Sequence, residues 1–251
     1  MLDKLGSYKL TQKNPIVDIK TEIDEFVALK EAVNKLIKNS ERTYLNQKQF
    51  TENASHELQT PISIAINRGE LLLEQNDLNE NTARELGELL DILERSSRLN
   101  STLLLLTKIE NQQFIENTVV NLKDLLEKLI RQFEDLASFR NITLEWNDNN
   151  VRPEVNMNLS LAEILFSNLI KNAILHNKSG GEVAIQLQCD NVVICNTAKA
   201  DALDLDKVST RFYKEGGGSK NLGLGLALVK AIVEQHKFLL NYNFIENRHC
   251  F

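Results

Sequence analysis

Apolar and small residues recur every three or four positions between residues 26 and 65, and this pattern limits the possible folds strongly. The positions are Phe26, Leu29, Val33, Leu36, Ser40, Tyr44, Gln47, Thr51, Ala54, Leu58, Pro61 or Ile62, and Ala65. Such spacing, even with some polar members, is typical of a coiled-coil-like seam on one long helix. We predict a helix that continues to about Gln75 and is kinked by Pro61, because proline removes a backbone donor.

His56 lies on the side of this predicted helix that is opposite to the seam. At about 100° per residue, it is about 200° away from both Ala54 and Leu58. The imidazole is therefore predicted to face solvent, and a carboxylate, Glu57, follows it directly. Packing explains an imidazole on the outside of a rigid helix poorly, whereas a reactive role explains it well.

A second amphipathic helix is predicted after a polar break at residues 76–81. Its apolar line comprises Leu86, Leu90, Leu93, Ser97, Asn100, Leu104 and Thr107. Two such helices bury little surface alone, so dimerisation into a four-helix bundle is the economical arrangement. We therefore predict a helical hairpin domain over residues 25–112, preceded by a linker over residues 1–24.

The composition excludes several classes of protein. The hydrophobic fraction of 42% and the charged fraction of 25% are those of an ordinary soluble protein. A net charge of −6 argues against a nucleic-acid binder. Three cysteines without a C-x-x-C pair indicate a reducing compartment, with neither disulfides nor structural zinc. No apolar run approaches the roughly 18 residues that cross a bilayer.

Residues 118–251 show a mixed α and β pattern, which predicts a separate α/β domain. Predicted helices cover 121–139, 160–176 and 223–236, and predicted strands cover 141–146, 182–188, 192–195 and 238–244. Ser160 and Glu163 have the spacing of a capping box at the start of the second of these helices. Residues 198–221 are irregular and contain glycine, which is typical of a functional lid or a disordered loop.

The string His56-Glu57-Leu58-Gln59-Thr60-Pro61 resembles the H-box of sensor histidine kinases, the autophosphorylating half of bacterial two-component systems. The resemblance implies an α+β protein: a dimeric antiparallel helical hairpin, followed by an α/β sandwich of the histidine kinase, chaperone and gyrase type that binds Mg-ATP. It also implies that His56 accepts the phosphoryl group and that Glu57 polarises the ring. Thr60 lies where the family places the group that orients water for regulator dephosphorylation, although a helix-capping or kink-supporting role is also reasonable.

The run Asn168-Leu-Ile-Lys171-Asn172-Ala173 resembles the N-box of the same kinases. Asn168 and Asn172 share a helix face with His176 one turn further along. In the family, amide oxygens at this box help to hold Mg²⁺ against the phosphates, so Asn168 and Asn172 are the expected metal ligands, with Lys171 and His176 beside the nucleotide. Related chaperone ATPases carry a glutamate at position 168 to activate water, so Asn168 favours phosphoryl transfer over hydrolysis.

Two further boxes follow in the order of the family. Arg211-Phe212-Tyr213-Lys214 resembles the F-box, with Phe212 packing the base of the lid while Arg211 and Lys214 reach phosphate oxygens; ordinary loop charges are the alternative. Residues 221–226 resemble the G2 box, whose glycines let backbone amides approach an anion at a helix N-terminus. Its expected nucleotide contacts are Leu222, Gly223, Leu224, Gly225 and Leu226.

The chain also departs from the family pattern. The adenine-binding G1 box is normally D-x-G-x-G, and Asn196 and Ala198 stand at its aspartate and first glycine. An amide oxygen accepts without charge, so a weaker grip on adenine is expected. In addition, Leu175 replaces a basic N-box residue and Asn221 replaces the first G2 glycine. The alternative is a catalytically impaired kinase acting as a dimeric signalling scaffold or phosphatase, and a second rival is a chaperone-like ATPase.

The resemblance implies a homodimer that phosphorylates the receiver domain of a response regulator, and no nucleic acid. Residues 24–36 resemble the end of a HAMP signalling linker, or simply the first turns of a coiled coil. If the first reading holds, this is the cytoplasmic portion of an inner-membrane sensor whose membrane segments lie upstream. His236 and His249 are expected to be structural or surface residues, and Cys189 and Cys195 are expected to be packed thiols rather than metal ligands.

Overall fold

The computed structural model describes residues 24–74, 78–114, 116–198, 202–208, 210 and 223–251, without the side chains of residues 48, 51, 52, 55, 56 and 206. The predicted linker over residues 1–24 lies outside this part of the chain, apart from Asp24. The chain divides into two compact units, residues 1–113 and 114–251, which are described separately below.

The first unit is a helical hairpin. Helix α1 spans Asp24–Leu73 and continues through Pro61. Helix α2 spans Glu80–Glu110, and the side chain of Asn79 caps it by accepting a hydrogen bond from the backbone N–H of Thr82 at 2.9 Å. No helix in the described ranges combines the length and apolar character that a membrane span requires.

The two helices pack along the apolar line that was predicted on α2. Every residue of that line is buried or half-buried. Leu90, at its centre, lies against Gly69 of α1, and Gln59 Nε2 donates to Ser101 Oγ at 2.9 Å across the hairpin. A second apolar stripe remains uncovered in the single chain, since Leu58 is 45% and Ile92 is 61% exposed.

The second unit is a five-stranded mixed sheet with helices on one face and a separate two-stranded ribbon. Its elements are β1 (Thr118–Asn121), α3 (Leu122–Phe139), β2 (Thr143–Asn147), β3 (Glu154–Met157), α4 (Leu159–Leu175), β4 (Glu182–Leu187), β5 (Val192–Thr197), α5 (Leu205–Val208), α6 (Gly225–His236), β6 (Asn243–Ile245) and β7 (Arg248–Cys250). The strand order is β2-β4-β5-β7-β6, and β1 pairs with β3. Strands β2 and β4 are parallel, whereas the other neighbours are antiparallel. The predicted α+β class, a helical hairpin followed by an α/β sandwich, is thereby confirmed.

Alternation along the strands separates a helix-covered face from an outer face of the sheet. On β4, Val183, Ile185 and Leu187 are buried, and they face the core. Helices α3, α4 and α6 pack over this side: α4 contacts both α3 and α6, and it also lies on β4 and β5. The fully buried side chains of α4 and α6, such as Ile170 and Ile232, fill the layer between helices and sheet.

The predicted capping box at the start of α4 is wrong. Asn158 is the N-cap, and its side chain accepts from the backbone N–H of Leu161, so the helix begins before Ser160. Glu163 pairs instead with Lys128 of α3 at 2.6 Å. Asparagine caps at least as well as serine, and it stands two residues earlier in the chain.

The expectation of three free thiols is also wrong. Cys195 and Cys250 form a disulfide with their Cα atoms 4.1 Å apart, and Cys189 is free and exposed. The two bonded residues stand directly opposite each other in the register of β5 and β7. Strand β7 was not predicted, so the sequence pattern gave no indication that these cysteines meet.

Candidate active site

Helix α4 holds the two asparagines of the N-box resemblance on a half-buried ridge. Its apolar residues, including Leu161, Leu165 and Ile174, are buried, which fixes the rotation of the helix about its axis. Asn168 and Asn172 are four residues apart and therefore lie one turn apart on the same side. Both are half-buried, so each side chain is reachable from solvent while its backbone is held rigidly.

The amide of Asn168 has a defined orientation. Its Nδ2 donates to the carbonyl oxygen of Ile164 at 2.8 Å, one turn earlier in α4. This hydrogen bond turns Oδ1 toward Gly225, the first residue of α6. An acceptor oxygen thus projects between the two helices.

Gly225 allows the start of α6 to approach this ridge closely. A Cβ atom built at Gly225 would lie 3.0 Å from Asn168 Oδ1 and 3.5 Å from the side-chain amide of Asn172. A 3.0 Å contact is tighter than side chains ordinarily tolerate, so any larger residue would force the helices apart or fill the gap between them. The glycine therefore lets the start of α6 lie against the two asparagines, and we call this polar junction of Asn168, Asn172 and Gly225 the cleft between α4 and α6.

The N-terminus of α6 presents backbone donors to that cleft. No side chain in the described ranges caps this helix, and Leu224, which precedes it, is buried. Gly223 has a φ of +68°, a left-handed conformation that favours glycine. Unpaired amide groups and the positive end of the helix dipole make such a terminus favourable for anions, phosphate groups above all.

Asn196 lies on the helix-covered face of β5 and is 4% exposed. Its Nδ2 donates to the carbonyl oxygen of Thr197 at 3.0 Å, which leaves Oδ1 as the acceptor of this side chain. Helix α4 packs against β5, so Asn196 belongs to the same layer as the asparagine ridge. A buried amide acceptor at this position can receive a hydrogen bond from an exocyclic amine.

His249, which was predicted to be a structural or surface residue, is a neighbour of Asn196. The two residues are directly opposite in the register of β5 and β7, and His249 is 5% exposed. Its Nδ1 lies 2.9 Å from the hydroxyl of Tyr242, which also accepts from the backbone N–H of Leu203. No spacing rule links these residues, because only the pairing of β7 with β5 brings them together.

The structure brings three of the predicted nucleotide residues into contact, namely Asn168, Asn172 and Gly225. Lys171 and His176 are exposed, and His176 forms the C-cap of α4. Leu226 is half-buried in the first turn of α6. The predicted F-box residues Arg211, Phe212 and Lys214, together with Leu222 and Asn221 of the G2 box, lie outside the described residues.

The cleft suits a hard cation by the type of its donors. Magnesium prefers oxygen ligands and retains several waters, so two side-chain amide oxygens on one ridge are compatible with it. Within the described ranges, no group of three or more His, Cys, Asp and Glu side chains is placed to hold a metal. An ion at this cleft would therefore share its coordination with water and with an anionic ligand.

The H-box residues lie in the middle of α1, which is helical from residue 56 through Pro61. Glu57 and Thr60 are exposed. The side chain of His56 is among those not described, so its outward orientation remains a prediction from the helical spacing. A continuous helix across this string is the framework on which that prediction depends.

A helical hairpin followed by a sandwich with an asparagine ridge and an open helix terminus defines the class of histidine kinases. Residues 46–112 match the family "His Kinase A (phospho-acceptor) domain", and residues 158–245 match "Histidine kinase-, DNA gyrase B-, and HSP90-like ATPase". The chain therefore carries the phosphoacceptor domain and the ATPase domain of a protein-histidine kinase. The family assignment from the sequence is thus confirmed.

Two sensor proteins are similar to most of this chain over about half of their own length. The heme sensor protein HssS of Staphylococcus saprophyticus is 29% identical over 224 residues, which are 86% of this chain and 48% of the relative. The sensor histidine kinase CusS of Escherichia coli is 29% identical over 217 residues, which are 81% of this chain and 44% of CusS. The chain therefore spans about half the length of these relatives.

Solved structures share the fold at low sequence identity. The histidine kinase AdeS of Acinetobacter baumannii has a TM-score of 0.53 at 24% identity, over 78% of this chain and 94% of AdeS. Full-length ShkA, solved in complex with AMPPNP, has a TM-score of 0.63 at 19% identity, over 80% of this chain and 44% of ShkA. These similarities support the fold, and the chemistry has to be argued from the residues.

Proposed function

We propose that this chain binds Mg-ATP in the cleft between α4 and α6, transfers the γ-phosphoryl group to His56, and passes it to an aspartate of a response regulator. The observation that carries the proposal is the contact geometry of Asn168, Asn172 and Gly225. It combines two side-chain amides, whose oxygens can bind a cation, with a helix N-terminus that can bind phosphates. A magnesium complex of a nucleoside triphosphate requires both.

In this proposal, the phosphates of the nucleotide bind at the start of α6. Backbone N–H groups of the first turn, from Gly225 onward, donate hydrogen bonds to the phosphate oxygens, and Lys171 is exposed beside the ridge. Mg²⁺ held by Asn168 and Asn172 would supply neutralisation of the charge that spreads over the transferred group. Arg211, Phe212 and Lys214 belong to the lid in this proposal, where the two cations add charge and the ring packs beneath it.

The adenine end is placed at Asn196. Its Oδ1 accepts a hydrogen bond from the exocyclic amine, in the role that an aspartate takes in the family. Because the amide carries no charge, the hydrogen bond is weaker than one to a carboxylate. We therefore expect a lower nucleotide affinity for this chain than for kinases with the aspartate.

His56 is the proposed phosphoacceptor. A neutral imidazole is abundant at pH 7 because its unperturbed pKa is about 6.5, and one ring nitrogen then attacks the γ-phosphorus in line. Glu57 is exposed in the next position of α1 and polarises the N–H of the other ring nitrogen by accepting a hydrogen bond from it, which strengthens the nucleophile. Asn168 offers no carboxylate to activate water, so transfer to His56 is favoured over hydrolysis.

The active form is proposed to be a homodimer. Leu58 and Ile92 belong to the apolar stripe that the single hairpin leaves exposed, at 45% and 61%. A second hairpin covers both helices in a four-helix bundle and removes this surface from water. The receiver domain of the regulator then docks on the outside of the bundle near His56, and Thr60 orients a water molecule for its dephosphorylation.

The cellular location of the two domains is inferred from the proposed reaction. ATP and response regulators are found inside the cell, so both domains work on the cytoplasmic side. The relatives are sensor proteins of about twice this length. We propose that the natural protein carries a membrane-embedded sensor upstream of α1, connected through residues 1–24.

The departures at Asn196 and Ala198 favour one alternative, a dimeric signalling scaffold or phosphatase with little kinase activity. Titration with a fluorescent ATP analogue and Mg²⁺ separates the two functions. A kinase binds the analogue saturably, with loss of affinity when Mg²⁺ is chelated. Absence of binding would support the scaffold, and steady ATP turnover without phosphoprotein would identify a chaperone-like ATPase instead.

A further inference from the structure

The disulfide between Cys195 and Cys250 links two neighbouring strands on the outer face of the sheet. Cys195 lies between Ile194 and Asn196, which are both buried on the helix-covered face, so its own side chain points outward. Cys250 occupies the matching position of β7. Both sulfur-bearing residues are only half-buried, so a small thiol in solution can reach the bond.

Apart from the disulfide, strand β7 is attached to the rest of the sheet by a short pairing with β5 and by the ion pair of Arg248 with Glu182 of β4. It pairs with β5 over three residue pairs, from Cys195 opposite Cys250 to Thr197 opposite Arg248, with Ile194 and Phe251 exchanging backbone hydrogen bonds beyond them. On its other side it pairs only with β6, the three-residue edge strand. A covalent link therefore adds much to the attachment of this two-stranded edge.

The surroundings of Asn196 and the described segment 202–208 both depend on the position of β7. His249 lies directly opposite Asn196 and is buried beside it. The hydroxyl of Tyr242, which is 2.9 Å from His249 Nδ1, also accepts a hydrogen bond from the backbone N–H of Leu203 in that segment. If β7 separates from β5, the wall next to Asn196 and the anchor of that segment are both lost.

The disulfide also closes a chain loop that contains part of the proposed nucleotide pocket. The two cysteines are 55 residues apart, and the enclosed chain carries the segment 202–208, Gly223 and helix α6. Closing this loop restricts the positions that α6 can take relative to β5. The same restriction is removed when the bond is reduced.

We propose that Cys195–Cys250 is a reversible redox-active site whose oxidised form holds the nucleotide pocket in its binding state. The co-reactant is a dithiol of the class of dithiothreitol or a thioredoxin-like protein. One thiolate of the dithiol attacks the Cys195–Cys250 S–S bond and forms a mixed disulfide. The second thiolate attacks that mixed disulfide, so the dithiol is oxidised to its own disulfide. Its two electrons and two protons pass to the two protein sulfur atoms, which become thiols. This proposal rests on the nucleotide site proposed above and adds a control to it.

The test compares the affinity of the whole chain for a fluorescent ATP analogue with Mg²⁺ in the oxidised and dithiothreitol-reduced states. Thiol titration verifies each state, since Cys189 alone reacts in the oxidised form and three cysteines react in the reduced form. We expect reduction to weaken binding by about fivefold or more. Cys250→Ser should bind like the reduced protein in both conditions, whereas Cys189→Ser should retain the full response to dithiothreitol.

Hydrogen exchange without nucleotide supplies a second readout. The amides of β7 and of Leu203 should exchange faster in the reduced protein, because both depend on the docking of that strand. Equal affinity in the two redox states, unchanged exchange, or failure of the oxidised protein to form the bond would overturn the redox site. If neither state binds the analogue while exchange still differs, the nucleotide site is refuted and the redox control of it falls with it, although the opening of β7 stands.

Discussion

At the residue scale, Gly225 and Asn168 together define the cleft. The hydrogen bond from Asn168 Nδ2 to Ile164 directs the amide oxygen outward from α4, and the missing side chain at Gly225 lets the start of α6 lie close to that oxygen. A Cβ atom at position 225 would already lie 3.0 Å from Asn168 Oδ1, so this arrangement depends on both residues. The proposed phosphate chemistry depends on this combination of an amide acceptor and a helix N-terminus.

Asn172→Ala removes one of the two proposed amide ligands without adding bulk. We expect the affinity for Mg-ATP to fall at least about tenfold, which corresponds to about 1.4 kcal/mol, and the dependence of binding on Mg²⁺ to weaken. Titration with the analogue at two Mg²⁺ concentrations measures both effects. Asn191→Ala, in the exposed turn between β4 and β5, is the matched control and should leave binding unchanged; unchanged binding in Asn172→Ala would contradict the N-box assignment.

Thr60→Ala distinguishes water positioning from a structural role in α1. The residue is exposed one turn after His56, so its loss should cost the fold little. We expect autophosphorylation to continue and the dephosphorylation of the regulator to slow by about 100-fold, within the range usual for a group that assists proton transfer. Slower autophosphorylation with normal dephosphorylation would be the opposite pattern and would exclude the proposed role.

At the element scale, Gly69 lies at a close approach between α1 and α2. A Cβ at Gly69 would lie 2.5 Å from a methyl carbon of Leu90, whereas a Cβ at Gly87 would meet nothing within 4 Å. The two glycines therefore have different consequences when replaced. This contrast separates helix propensity from packing.

Gly87→Leu should stabilise the hairpin by up to about 1 kcal/mol, because glycine is a poor helix former. Gly69→Leu gains the same propensity but overpacks against Leu90, which costs about 1–3 kcal/mol, so we expect a net loss. Thermal unfolding followed by far-UV circular dichroism measures both. Equal stabilisation by the two substitutions would show that the helices do not touch at Gly69.

On the outer face of the sheet, two carboxylates from neighbouring strands share a hydrogen bond. The hydrogen bond and the negative charge of Glu182 raise the pKa of Glu145 above its usual value, while Arg248, which pairs with Glu182 at 2.9 Å, lowers it in part. Because the pKa of Glu145 is raised in the folded state, its interaction with Glu182 adds to the free energy of unfolding at low pH. This stabilisation is lost as the pH rises through the folded-state pKa.

Glu145→Gln should therefore raise the melting temperature at neutral pH, because the amide donates to Glu182 without repelling it. The increase in melting temperature should be smaller below the ordinary pKa of a glutamate, about 4.3, where Glu145 is protonated in both the folded and the unfolded state. Melting curves across this pH range test the sign. Glu154→Gln, at an exposed position of β3, serves as the control, and an equal gain at every pH would contradict the shared hydrogen bond.

The elements with long periodic patterns were predictable from the sequence. Helices α1, α2 and α4 carry apolar lines of several turns, and the start of α3 follows from Asn121, which caps it. Strands β1, β3 and β7 are three or four residues long, and such segments are stabilised by partners distant in the chain. Their pairing cannot be derived from local spacing.

The same limit applies to the site. The asparagine ridge and the glycines were visible as motifs, because their spacing reflects one helix and one helix terminus. The proximity of His249 to Asn196 and the Cys195–Cys250 bond depend on the register of β7, so the sequence predicted neither. The residues 211–222 lie outside the described part of the chain, and their roles remain predictions.

At the scale of the whole molecule, the chain consists of two units, to which we assign separate tasks. The hairpin unit carries His56 on α1, and the sandwich unit carries the cleft between α4 and α6. Phosphoryl transfer needs mainly positioning and charge neutralisation, so a nucleotide site and a nucleophile on different units suffice when they meet. The chemistry of the product therefore tests both units at once.

The most direct measurement is the chemical stability and position of the phosphate bound to the protein after incubation with γ-³²P-ATP and Mg²⁺. We predict a label that is lost in acid, survives base and maps to the peptide containing His56. His56→Ala should still bind the ATP analogue and should carry no label. Acid-stable phosphate, or acid-labile phosphate that persists in His56→Ala, would contradict the account.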